Sequence, residues 1–204
     1  MRHLFLVRHA APTIIPGMPA AQWPLSDAGR AAAVTLARQI SGSAISSIVS
    51  SREPKAIETA NILAAWLRLP ATMDGGLNEH DRTTSPYLDR DEFETTISRF
   101  FDNQKELIFG AESAAQALKR FTSAVEGVVA QSTNGNGDLL IVTHGTVLTL
   151  FVAAHNPIVP LAFWRQLAQP DLVTLRLPDF RLLTGPSVGA SPGARSLEKP
   201  SCGI

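Results

Sequence analysis

The 204-residue chain is 45% hydrophobic and 18% charged, and its 18 basic and 18 acidic side chains cancel. That length fits one domain able to bury a core without staples. The neutral balance excludes the clustered Lys and Arg excess that a nucleic-acid partner demands, and the single cysteine, Cys202, excludes a disulfide framework or a CxxC site. No apolar run approaches the roughly twenty residues that span a bilayer, and Met1–Val7 is too short for the apolar region of a signal peptide. The expectation is a soluble, cytoplasmic protein with no nucleic-acid or membrane partner.

Leu4–Val7 is a short apolar run ending at Arg8-His9 and broken by Pro12, Pro16 and Gly17, which predicts a buried strand. Ser26 caps a predicted helix with Ala33, Leu36, Ala37 and Ile40 on one face. Ile45–Val49 reads as a second strand. The next helix carries Ala56, Ala60, Leu63 and Leu67, with Pro54 tolerated in its first turn. Residues 68–73 form a short strand, and a polar connection runs from Gly75 to Tyr87. Phe93, Ile97, Phe100 and Phe101 mark one helix; Leu118, Phe121, Val125, Val128 and Val129 mark another. Asn134-Gly135-Asn136-Gly137 is a turn. Leu139–Val142 is the most strand-like run, followed by a buried helix over Val147–Ala154. Val173, Leu175 and Leu177 alternate with polar residues in a late strand, and Pro178-Asp179 turns it into another at Arg181–Leu183. Residues 1–184 are expected to form one domain. Eleven of the last twenty residues are Gly, Pro or Ser, so 185–204 reads as a disordered tail. Strands alternating with helices predict an α/β sandwich with a largely parallel sheet.

Open α/β sheets carry their sites beyond the carboxyl ends of the strands. Arg8-His9, Ser50-Ser51-Arg52 with Lys55, and Thr143-His144-Gly145-Thr146 all fall at such places. A phosphoryl group needs fixed cations and N–H donors around its oxygens; Arg supplies a charged planar fork, and helix N-termini add amides. A neutral imidazole in such a pocket can attack phosphorus, a second histidine can stabilise the transferring oxygens, and a carboxylic acid must protonate the leaving alkoxide. Glu79 is the leading candidate for that acid. Each histidine alone is more often structural, and His3, His80 and His155 are expected to face solvent or cap local structure. No metal-ligand spacing is present.

Four segments resemble the histidine phosphatase superfamily, which includes the cofactor-dependent phosphoglycerate mutases. They are Leu6-Val7-Arg8-His9-Ala10, Trp23–Gly29, Ser50-Ser51 with Ala56-Ile57-Glu58-Thr59-Ala60, and Val142-Thr143-His144-Gly145. Phe109–Ser113 is similar to a Gly-Glu-Ser segment that opens a helix in that family. The resemblance spans about residues 4–155. It implies a three-layer αβα sandwich with a mostly parallel central sheet and a small helical insertion over the site. It further implies that His9 is the phosphoryl acceptor, that Arg8 is a phosphate ligand, that His144 is the second pocket histidine and that Glu79 is the proton donor. No metal or cofactor is implied.

Three departures from the family pattern stand out. Ala10 replaces the usual Gly after the Arg-His pair. Pro12 and Ile15 replace a small polar residue and an Asn. Lys55 occupies the position of the second arginine, with Arg52 three residues earlier on the same helical face; Arg52 is expected to compensate ahead of Lys55. Gly145 completes the expected phosphate site. His80 and Arg82, beside Glu79, are candidate contacts for a second group on the substrate. The reading is a metal-independent phosphomonoester phosphatase acting on a small phosphorylated substrate through a phosphohistidine. The alternatives are phosphoglycerate-mutase-type transfer and a non-catalytic phospho-ligand binding protein. Oligomeric state is unread.

Overall fold

The computed structural model describes residues 2–86, 88–132 and 137–186. Six strands form one sheet: β1 (His3–Arg8), β2 (Ile45–Ser50), β3 (Ala71–Met73), β4 (Asp138–Thr143), β5 (Asp171–Arg176) and β6 (Arg181–Thr184). Their order is β3-β2-β4-β1-β5-β6. The first four are mutually parallel, while β5 is added antiparallel to β1 and β6 antiparallel to β5. The helices are α1 (Asp27–Gln39), α2 (Pro54–Leu67), α3 (Arg90–Asp102), α4 (Ala114–Gln131), α5 (Gly145–His155) and α6 (Pro160–Gln166).

Side chains alternate across the pleat, so each central strand feeds two cores. Phe5, Val7, Leu140 and Val142 pack with Leu36, Ala37, Ala56, Ala60 and Leu63 of α1 and α2 and with Ile40, the C-cap of α1. Leu4, Leu6, Leu139 and Ile141 pack on the other face with Ile97, Phe100, Phe121, Val125, Leu148 and Phe151 of α3, α4 and α5. The result is three layers. β4 is central and buried along its whole length, which is why it reads as an unbroken apolar run.

The local signals hold. Ser26 caps α1 by accepting from the Gly29 amide at 3.0 Å, and Ser113 forms a capping box with Gln116 at the start of α4. Gly29 is required because a Cβ there would lie 2.1 Å from the Ala11 carbonyl oxygen. That carbonyl accepts from both the amide and the hydroxyl of Ser26, tying the loop after β1 to α1. Helix α6 was not foreseen: it has only seven residues and buries one of them, Phe163, too little for a periodic signal. The turn expected at residues 134–137 and the tail expected at 185–204 fall largely outside the described residues. Among the described residues no helix is long and apolar enough to cross a membrane.

Candidate active site

Because β2, β4 and β1 are adjacent and parallel, their carboxyl ends lie side by side. Arg8 pairs in register with Thr143, and Ser50 with Val142. The ladder runs one residue past the strands: the His9 amide donates to the Thr143 carbonyl at 2.9 Å and the Ser51 amide to the Val142 carbonyl at 3.0 Å. Three motifs far apart in sequence thereby open on one edge. The rings of His9 and His144 lie 5.0 Å apart, both buried.

His9 Nδ1 sits 2.7 Å from the carbonyl oxygen of Ala10. A carbonyl only accepts, so Nδ1 carries the proton and Nε2 keeps its lone pair. Burial, then the neighbouring His144, Lys55 and Arg8, push the His9 pKa well below its ordinary value despite the bond to Ala10. The Ala10 amide in turn donates to Thr59 Oγ1 at 3.1 Å, and that hydroxyl donates to the Lys55 carbonyl at 2.7 Å. The Thr-Ala segment of α2 thus fixes the backbone around the candidate nucleophile.

His144, the N-cap of α5, is fully buried. Its Nε2 lies 2.6 Å from Ser51 Oγ and 3.4 Å from Glu53 Oε1, and its buried Nδ1 has no protein partner. Burial pushes its pKa well below the ordinary value, with Glu79 opposing and Lys55, Arg82 and Arg8 assisting. Arg8 donates from Nη1 to the Leu167 carbonyl at 2.6 Å, while its buried Nε has no partner. Burial lowers its pKa to about 10, against the pull of Glu79 and Asp171. Gly145 sits tightly against this guanidinium: a Cβ there would stand 3.1 Å from Arg8 Nε and 3.3 Å from Cζ.

Glu79 reaches the same place from the loop after β3. Its Oε2 accepts from the Thr146 amide at 3.1 Å and its Oε1 from the Val147 amide at 3.2 Å, both in the first turn of α5. Burial raises its pKa, but Arg82, His144 and the amides of His80 and Thr146 outweigh it and hold the carboxyl well below the usual carboxylate range. Arg82 Nη2 lies 3.6 Å from Glu79 Oε2 and donates to Thr146 Oγ1 at 2.9 Å. Its guanidinium is stacked 4.7 Å from the Phe93 ring centroid, and its buried Nε has no partner.

Not every expected residue joins this cluster. The Lys55 ammonium is buried, donates to Glu53 Oε2 at 2.5 Å and to the Ala20 carbonyl at 2.7 Å, and acts on both histidines. Arg52 is instead exposed, its side chain 3.5 Å from where a Gly75 Cβ would stand. The structure brings Lys55, and not Arg52, to the pair of histidines, because Arg52 precedes the helix and its backbone is held by Asn78 Oδ1 at 2.8 Å. The expectation that His80 faces solvent or the substrate also fails: it is buried between Phe100 and Phe109, with ring centroids 4.4 and 4.6 Å away, and its Nε2 donates to the Glu112 carbonyl at 2.9 Å. His155 is exposed and bonds locally to the Phe151 carbonyl at 2.9 Å, as expected.

Glu53 was missed by sequence reasoning. It is buried beside Lys55 and His144 and accepts the Glu79 amide at 2.8 Å. The available signal was a carboxylate two residues before an unusual lysine at the start of α2. Among the described residues no group of three or more His, Cys, Asp and Glu side chains is placed to hold a metal ion.

The comparisons with known proteins give the family and the fold. The sequence profile of the histidine phosphatase superfamily (branch 1) matches residues 4–180. Among solved structures, one titled mycobacterial hydrolase 1 superposes with a TM-score of 0.75 at 21% identity, covering 93% of this chain and 100% of that one. A mycobacterial glucosyl-3-phosphoglycerate phosphatase gives 0.71 at 20% identity, with 92% and 97% covered. A phosphoserine phosphatase from Entamoeba histolytica gives 0.73 at 19% identity, with 92% and 98% covered. No curated protein sequence matches significantly. The ordered strand-end motifs, the three-layer fold and the profile match over nearly the whole chain place this protein in branch 1 of the histidine phosphatase superfamily.

Proposed function

We propose that the chain is a metal-independent phosphomonoester phosphatase in which His9 Nε2 attacks phosphorus and Glu79 protonates the leaving alkoxide. One observation carries this reading: a neutral His9 with its lone pair on Nε2 stands 5.0 Å, ring to ring, from a second buried histidine, beside buried donors that have no protein acceptor, Arg8 Nε among them. Orphaned buried donors cost free energy unless an acceptor completes them, and a phosphoryl group supplies several acceptor oxygens.

In the first step the P–O bond to the substrate breaks as the N–P bond to His9 forms, and the alkoxide takes a proton from Glu79. In the second step Glu79, now a carboxylate, takes a proton from water as that water attacks phosphorus and returns the electron pair to Nε2. Lys55, Arg8, Gly145 and His144 Nδ1 surround the transferring oxygens in this reading. Glu79 must be protonated when substrate is bound. The incoming phosphate dianion favours this, because it adds negative charge beside the carboxylate. Arg82, facing Glu79 and clamped over Phe93, is the candidate contact for an anionic group elsewhere on the substrate. His80 has no such role, since its ring is enclosed by phenylalanines.

Hydrolysis of an aryl phosphate in the presence of a chelator tests the reading. Wild-type protein is expected to turn over, and His9→Ala to lose at least about 10³-fold in kcat. Equal rates for the two proteins would overturn it.

A further inference from the structure

The loop that carries Glu79 has almost no secondary structure of its own, yet its backbone is tied down by side chains of α4 and the segment before it. Arg120, on α4, donates from Nη1 to the carbonyls of Gly76 at 2.8 Å and Asn78 at 2.9 Å, and from Nη2 to the Glu79 carbonyl at 3.2 Å. Its guanidinium also pairs with Glu112, with Nε 3.2 Å from Oε2. Glu112 Oε1 accepts the Asp81 amide at 3.1 Å, and the Glu112 carbonyl accepts from His80. The Ala111 amide donates to the Asp81 carbonyl at 2.9 Å. Two glycines permit the close seating: a Cβ on Gly76 would fall 2.7 Å from Ala124 Cβ, and one on Gly110 would fall 2.1 Å from the Asp81 carbonyl oxygen.

We infer that the Arg120–Glu112 pair is the positioning element for proton donation by Glu79. One planar guanidinium with five donors gathers the carbonyls of Gly76, Asn78 and Glu79 while Glu112 fixes its orientation. Residues 76–81 thereby hold the Glu79 carboxylate against the first turn of α5. Neither Arg120 nor Glu112 contacts His9 or the phosphoryl site, so the pair acts only through the place it gives Glu79. A displacement near 1 Å at a reacting group can cost about 10²-fold, and here that cost falls on the protonation of the leaving group.

This inference rests on the reading of Glu79 as proton donor, and the leaving group separates the two. A nitrophenolate departs without a proton, whereas a simple alkoxide cannot. Rates of p-nitrophenyl phosphate and ethyl phosphate hydrolysis are to be measured for wild type, Glu79→Gln, Arg120→Met and Arg120→Lys, with folding checked by circular dichroism. Expected for Arg120→Met is a loss of about 10²-fold on ethyl phosphate and less than about 5-fold on the nitrophenyl ester. Arg120→Lys, which keeps the charge and part of the bonding, should fall between it and wild type with the same bias. Equal losses on both esters in the folded Arg120 variants, beside a biased loss in Glu79→Gln, would overturn the positioning role alone. An unbiased loss in Glu79→Gln would overturn both readings. Should Arg120→Met fail to fold, the bias or its absence in Arg120→Lys decides in the same way.

Discussion

At the scale of single residues, the site is a set of charges and lone pairs held out of water. Arg82 sets the state of Glu79 more than any other charge, and it does so from 3.6 Å. Replacing it by Gln should raise the Glu79 pKa and move the alkaline fall in kcat to higher pH. If Arg82 also receives an anionic group of the substrate, the variant should lose about tenfold or more in kcat/KM for phosphoglycolate relative to 2-hydroxyethyl phosphate. A pH profile and a substrate preference both unchanged from wild type would remove Arg82 from either role. Lys55 shows what a residue-scale departure from the family pattern means: its ammonium lies at the candidate site already paired with Glu53, so it acts as a compact point charge without the bidentate fork of arginine.

At the scale of elements, the sequence made the scaffold legible and left the supports hidden. β1, β2 and β4 are foreseeable because both of their faces are buried, and α1, α2 and α4 because their apolar stripes and caps are local features. Placing His9, Ser51 and His144 at strand exits was therefore enough to bring them together, since parallel neighbours end on the same edge. The rest depended on long-range contacts with no local signature. Arg52 and Lys55 share a helical face in sequence terms, but Arg52 precedes the helix start at Pro54 and its side chain departs. His80 looks like a loop histidine until Phe100 and Phe109, from other segments, close over it. Glu53, Glu112 and Arg120 take their meaning from partners far away along the chain: Arg120 reaches Gly76, 44 residues earlier, and Glu53 lies against His144. The Gly-Glu-Ser resemblance at residues 110–113 marked the right segment without revealing that Glu112 reaches back to Asp81.

At the scale of the whole molecule, stability should depend on acidity because the buried histidines are kept neutral. His9, His144 and His80 all have pKa values lowered by burial. Their protonated forms are therefore favoured in the unfolded chain, so the stability they contribute is present above about pH 6.5 and is lost as pH falls below it. Glu79, lowered as well, adds a second loss as pH falls through the ordinary carboxylate range. Each histidine contributes a slope of at most about 1.4 kcal/mol per pH unit. Denaturant unfolding without phosphate should lose about 2–4 kcal/mol between pH 7 and pH 5, and a flat profile over that interval would contradict the buried, neutral state of the pair.

In the proposed mechanism, phosphoryl transfer passes through a covalent bond to His9. Rapid acid-free quenching of the protein with a labelled phosphomonoester, followed by peptide mapping, measures it directly. The predicted result is a base-stable, acid-labile phosphoryl group on the peptide containing His9, absent from His9→Ala and accumulating in Glu79→Gln with an aryl ester. Steady turnover with no label on that peptide, or label retained in His9→Ala, would rule out His9 as the phosphoryl acceptor.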